Sequence, residues 1–86
     1  MAQLVCTLEI PAAELHAGHI VVSGGRARDL GEKSGHMLGY DHWPYVAYSD
    51  DGTVAAHGTM NVRSDSKVLT VAVHMDGGVV VPGIAR

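Results

Sequence analysis

At 86 residues the chain is one domain, near the size where a single core barely suffices, and a composition of 47% hydrophobic and 17% charged residues excludes a disordered segment. A net charge of −3, from six Lys/Arg against nine Asp/Glu, argues against nucleic acid, whose phosphates select a basic face. The single cysteine excludes an intrachain disulfide.

In chain order, Leu4, Cys6, Leu8 and Ile10 alternate with Val5, Thr7 and Glu9, the period of a half-buried strand that Pro11 ends. Within that alternation Cys6 packs as a small hydrophobe. The opening MAQLVCTLEI lacks a basic n-region and meets Glu9 before a long apolar run forms, so neither a signal peptide nor a membrane span is expected. The expectation is a cytoplasmic protein. Ala12–His16 allows one helical turn before Gly18, and His19–Ser23 reads as a second strand stopped by Gly24-Gly25.

From Gly24 to Trp43 no period persists and glycines recur, so the segment is expected to be mainly a long loop, with room for a strand at Arg26–Leu30. Next, Val46 and Tyr48 alternate toward the turn Ser49-Asp50-Asp51-Gly52, where a three-residue loop with Gly52 as bulge residue pairs Tyr48 with Val54 and Val46 with Ala56. Residues 53–62 and 67–75 flank the polar turn Arg63–Ser66, and the spacing predicts a hairpin with Met60 opposite Leu69 on a buried face. Asp76-Gly77-Gly78 turns into Val79–Val81, and Pro82 marks an edge or exit.

Short strands, Gly-rich turns and no long helix imply an all-β fold: a small SH3-like or partly open β-barrel of about six short strands, antiparallel hairpins and one long loop. Leu15-His16-Ala17-Gly18-His19-Ile20-Val21-Val22 resembles the L-x-x-G-D-x-V-x opening of SH3-like barrels, with His19 in place of Asp. The segment Ile10-Pro11-Ala12-Ala13-Glu14-Leu15-His16-Ala17-Gly18 is similar to one found in small accessory proteins of actinobacterial phages. That resemblance implies a phage-type accessory protein and assigns no catalytic residue.

Six histidines raise the question of metal. In the predicted hairpin His57 and His74 become diagonal neighbours on one face, with Asp76 the nearest third ligand, while a zinc site needs three or four. No Cys pair or H-E-x-x-H element supports one, so no cofactor is expected. Catalysis lacks a signature too: there is no G-x-S-x-G, Cys6 lies in a core strand, and Gly24-Gly25-Arg26 is followed by no helix that could hold a phosphate.

All four aromatic rings fall within residues 40–48 (YDHWPYVAY). Tyr48 and Trp43 are expected to fill the core, leaving Tyr40 and Tyr45 for display. Trp, Tyr and Arg dominate interface hot spots, so Arg26, Arg28, Tyr40, His42, Trp43 and Tyr45 are the candidate partner-binding residues. The competing reading makes the loop a cover for an open barrel end with Trp43 as its plug. A weak Ala/Val core adds the expectation of a homo-oligomer. The function expected is a non-enzymatic binding or assembly module that self-associates and contacts a partner protein. The alternatives are a His-rich metal- or small-ligand-binding protein and a structural particle component.

Overall fold

A computed structural model describes residues 4–75 and 77–84. Eight strands form one antiparallel sheet: β1 (Leu4–Pro11), β2 (Ile20–Ser23), β3 (Arg26–Leu30), β4 (Gly35–Met37), β5 (Tyr40–Tyr48), β6 (Val54–Arg63), β7 (Lys67–His74) and β8 (Val80–Pro82), with a single 3-10 turn at Ala12–Glu14. The hydrogen-bonded path runs β1-β7-β2-β3-β5-β4, with β6 also on β5 and β8 also on β7. The all-β class therefore holds. The sheet stays open, because among the described residues no strand bridges β1 to β6.

The alternation read in residues 4–10 is the one the fold uses from Val5 onward. Ile10 is buried and Cys6 and Leu8 half-buried, while Val5, Thr7 and Glu9 are exposed. The same face of the sheet collects Val68, Thr70 and Ala72 from β7, Val21 from β2, Leu30 from β3, Trp43 from β5 and Val62 from β6. Ile10, Ala12, Leu15, Val21, Leu30, Trp43, Val62 and Val68 form the core cluster, against which Leu8, Tyr45 and Met60 pack. Thr70, fully buried, donates its hydroxyl to the Leu8 carbonyl at 2.7 Å, so its oxygen is not orphaned.

Gly24 and Gly25, at φ +59° and +77°, close the β2–β3 hairpin in which Ser23 faces Arg26. Positive φ at both central residues is what a two-residue type I′ turn requires. His19 is buried where the resembling barrels carry Asp, and its Nδ1 accepts the His16 backbone N–H at 3.2 Å. The ring acts as acceptor in that tight turn, which a carboxylate could do equally.

Four expectations are corrected. The segment 24–43 is not a loop: β3, β4 and the start of β5 occupy most of it. Its ladder partners, β2 for β3 and β5 for β4, recruit a sequence too polar to show the period by itself. Among the described residues strands number eight rather than about six. The turn Arg63–Ser66 exists, held by Ser66 N–H on the Arg63 carbonyl at 3.1 Å, but the strands it joins do not pair. β6 lies along β5 from Val54 to Arg63, and β7 lies along β1, with Leu69 opposite Glu9 and exposed. Pairing β7 with β1 sets Val68 opposite Ile10 and Thr70 opposite Leu8, uniting two apolar stripes in the core. Met60 instead faces Trp43, and His57 and His74 share no ladder.

The last correction concerns β5. Asp41, Trp43 and Ala47 are buried and Tyr45 half-buried, whereas Tyr40 and Tyr48 are exposed. Tyr48 thus leaves the core and Tyr45 enters it. The Tyr48–Val54 pair forms as expected, but the ladder shifts between Ala47 and Tyr48, so Ala47 faces Ala56 and Val46 faces His57. Ala55 is the extra residue of that bulge. Gly58 lies opposite Tyr45, whose ring covers it; a methyl there would meet the phenol oxygen at 3.4 Å.

Candidate functional site: a braced apolar knuckle

The sequence-predicted site residues divide between two ends of β5. Tyr40 and His42 lie on its outer face near the β4–β5 turn. Arg26 lies at the other end, beside a cleft of about 540 Å³ lined by Gly25, Ala27, Asp29, Ala47, Tyr48 and Asp50 among others. Arg28 is half-buried and stacks its guanidinium 4.5 Å from the Tyr45 ring centroid, a cation–π contact. Trp43 is only 4% exposed, and its indole N–H has no hydrogen-bond partner among the described residues. Its place is the core.

Sequence reasoning missed the residues between β4 and β5. Met37 faces Tyr40 across a two-residue turn, Leu38-Gly39. Leu38 sits at φ +54°, the one non-glycine residue at positive φ among those described. For an L-residue with a Cβ this conformation costs about 1–2 kcal/mol. Leu38 is nonetheless 90% exposed, with Met37 at 64% and Tyr40 at 42%. Three apolar side chains therefore stand at the tip of a hairpin, and the most exposed one occupies the most strained position.

Behind the tip is a polar brace. Asp41 is buried, and its Oδ1 lies 2.6 Å from His36 Nδ1, 3.1 Å from Lys33 Nζ and 3.2 Å from the Ser64 hydroxyl that donates to it. The hydrogen bond from His36, then that from Lys33, holds the Asp41 carboxyl below its ordinary value of 3.8, against the opposing effect of burial. Ser64 also donates its backbone N–H to the Gly39 carbonyl at 2.9 Å, tying the tip to the β6–β7 corner. A groove of about 300 Å³ runs between them, lined by Leu38, Gly39, Tyr40, Arg63, Ser64 and Asp65. On the outer face His42 Nδ1 donates to Asn61 Oδ1 at 2.6 Å, fixing a second ring beside Tyr40.

Ser64, His36 and Asp41 invite comparison with a nucleophilic triad. A relay needs the carboxylate on one imidazole nitrogen and the hydroxyl on the other. Here Ser64 Oγ lies 3.2 Å from Nδ1, the same nitrogen that meets Asp41, and the serine donates to the carboxylate. The cluster positions a turn and does not activate an oxygen. Among the described residues no three His, Cys, Asp or Glu side chains converge to hold a metal ion, and Asp76 lies outside those residues. Nor is any helix of the described residues long and apolar enough to cross a membrane. No family model, curated protein or solved structure matches this chain.

Proposed function

We propose that this protein is a non-enzymatic binding module that presents the Met37-Leu38-Tyr40 knuckle to a partner protein. This fits the accessory, phage-type role that its Ile10–Gly18 segment resembles. The observation that carries the reading is Leu38: an apolar side chain 90% exposed at a φ of +54°. Strained backbone persists only where its surroundings over-determine it, and such positions cluster at functional sites. The Asp41 brace supplies that over-determination. Pre-organisation of this kind lowers the ordering cost of binding. Partner recognition then combines insertion of Leu38 and Met37 into an apolar pocket with polar contacts from Tyr40, His42 and Arg63 at its rim, the anatomy of a small hot spot.

The test is comparative capture from the native cytosol with purified wild-type and Leu38→Asn protein, followed by affinity measurement on whatever the wild type retains. Loss of at least tenfold in affinity, about 1.4 kcal/mol, is expected for Leu38→Asn. Val54→Thr, on the distant β5–β6 turn, should bind normally. A partner that binds both variants as tightly as wild type would remove the knuckle from the reading.

A further inference from the structure

The β6 strand ends the sheet with protection only at its two ends, the bulge at Ala55 and the charged Arg63. Between them, from Ala56 to Val62, it has no Asp, Glu, Lys, Arg or Pro, whereas β1, at the other end of the sheet, carries Glu9 and Pro11. Edge strands are normally guarded by charge, proline or brevity, because unpaired backbone groups recruit another strand. β6 is the longest strand here, at ten residues.

Which of its backbone groups are free follows from its neighbour. The Pro44 carbonyl accepts Gly31 N–H at 2.8 Å and the His42 carbonyl accepts Ser34 N–H at 2.8 Å. Residues 42 and 44 therefore aim their polar groups away from β6. In an antiparallel ladder, facing residues either exchange both hydrogen bonds or exchange neither, in alternation. Asn61 and Thr59, opposite His42 and Pro44, fall in pairs of the second kind, and by alternation so does His57 opposite Val46. All three turn N–H and C=O toward the open edge, where no strand is hydrogen-bonded among the described residues.

We propose that this edge pairs with the same edge of a second copy, antiparallel, about a two-fold axis at Thr59. In that register Thr59 faces Thr59 of the second copy and His57 faces Asn61, giving about six main-chain hydrogen bonds from three residues on each side. Thr–Thr pairs are favourable across strands. No like charges oppose one another, since Arg63 falls opposite Ala55. Continued past the strand ends, the register brings the acidic Asp50–Asp51 turn of each copy toward Lys67 of the other, where Arg63 is held by its own Asp65 at 3.2 Å. That charge complementarity and the match of each strand to its own reverse select a second copy over an unrelated peptide. A two-fold contact also closes, so it yields a dimer and no filament. The interface leaves the knuckle untouched and does not depend on the binding role given to it.

Sedimentation equilibrium on the full chain should give twice the 9.0 kDa chain mass at micromolar concentration. Thr59→Lys puts a charge against its own copy at the axis, and Thr59→Pro removes an N–H that β5 does not use. Both should be monomeric, with dissociation constants raised at least tenfold and unchanged far-ultraviolet dichroism. If Thr59→Pro fails to fold, Thr59→Lys decides. In a Cys6→Ser background, Thr59→Cys should oxidise to a covalent dimer and Thr7→Cys, on β1, should not. Leu38→Asn should leave the dimer intact, separating this interface from the knuckle. A wild-type mass of 9.0 kDa, a dimer surviving Thr59→Lys, or cross-linking through Thr7→Cys would each overturn the proposal.

Discussion

Replacing Leu38 by Asn should make the protein more stable, although it removes an apolar side chain. The cost of holding Leu at φ +54° is about 1–2 kcal/mol, and Asn tolerates this region far better because its short polar chain bonds locally. An Asn-Gly pair is moreover the preferred composition of a two-residue type I′ turn. Against this stands whatever burial Leu38 contributes. Full burial of a Leu is worth roughly 1.5–3 kcal/mol, but Leu38 is 90% exposed, so about a tenth of that is at stake. The net expectation is a gain of about 1 kcal/mol, which for a domain of this size raises the melting temperature by roughly 4–8 °C. Calorimetry on both proteins at one pH and concentration measures it. A melting temperature that falls, or does not move, would mean that the leucine supports the fold. The strain would then have a structural explanation and would no longer point to binding.

Trp43→Ala should cost about 3–5 kcal/mol in urea unfolding followed by circular dichroism, because the ring is central to the core; Trp43→Phe should cost much less, since the lost indole N–H has no partner among the described residues. Thr70→Val should lose about 0.5–1.5 kcal/mol for its hydrogen bond to the Leu8 carbonyl, and a neutral result would remove that bond from the account of the β1–β7 ladder. Burial first, and the neighbouring His16 second, lower the His19 pKa below its ordinary 6.5. The folded state therefore takes up its proton later than the unfolded chain, so this stability is present above pH 6.5 and is lost as pH falls through the depressed folded value. Melting temperature followed from pH 8 to pH 5 should decline for the wild type and decline less for His19→Gln; parallel curves would contradict the assignment. Asp41, also depressed, adds its own loss only below its ordinary 3.8, as protonation ends the contacts from His36 and Lys33, and Asp41→Asn should flatten that lower limb.

Strong local periods and turn chemistry sufficed for the class of fold. The alternation from Val5 to Ile10 is legible because steric preference and burial act there within a few residues. Pairing was a different matter. The inward stripe of β7, Val68-Thr70-Ala72, is satisfied by any strand offering apolar residues two apart, and both β6 and β1 offer them. Only the whole sheet decides that β1 takes it, because that choice frees Met60 and Val62 to close over Trp43 and the core. The orientation of β5 was equally open, since rings occur at both parities of its alternation. The buried Asp41 accompanies Trp43 and Tyr45 inward and sends Tyr40 and Tyr48 to the surface. The knuckle and its brace are not legible in the sequence for one reason: Leu-Gly is not a turn-forming dipeptide. Had those two residues been read as a type I′ turn, Met37 would have faced Tyr40 and His36 would have faced Asp41, which is how they stand. Ser64, 23 residues from Asp41, could be brought to that carboxylate only by the tertiary fold, through the corner that carries β6 into β7.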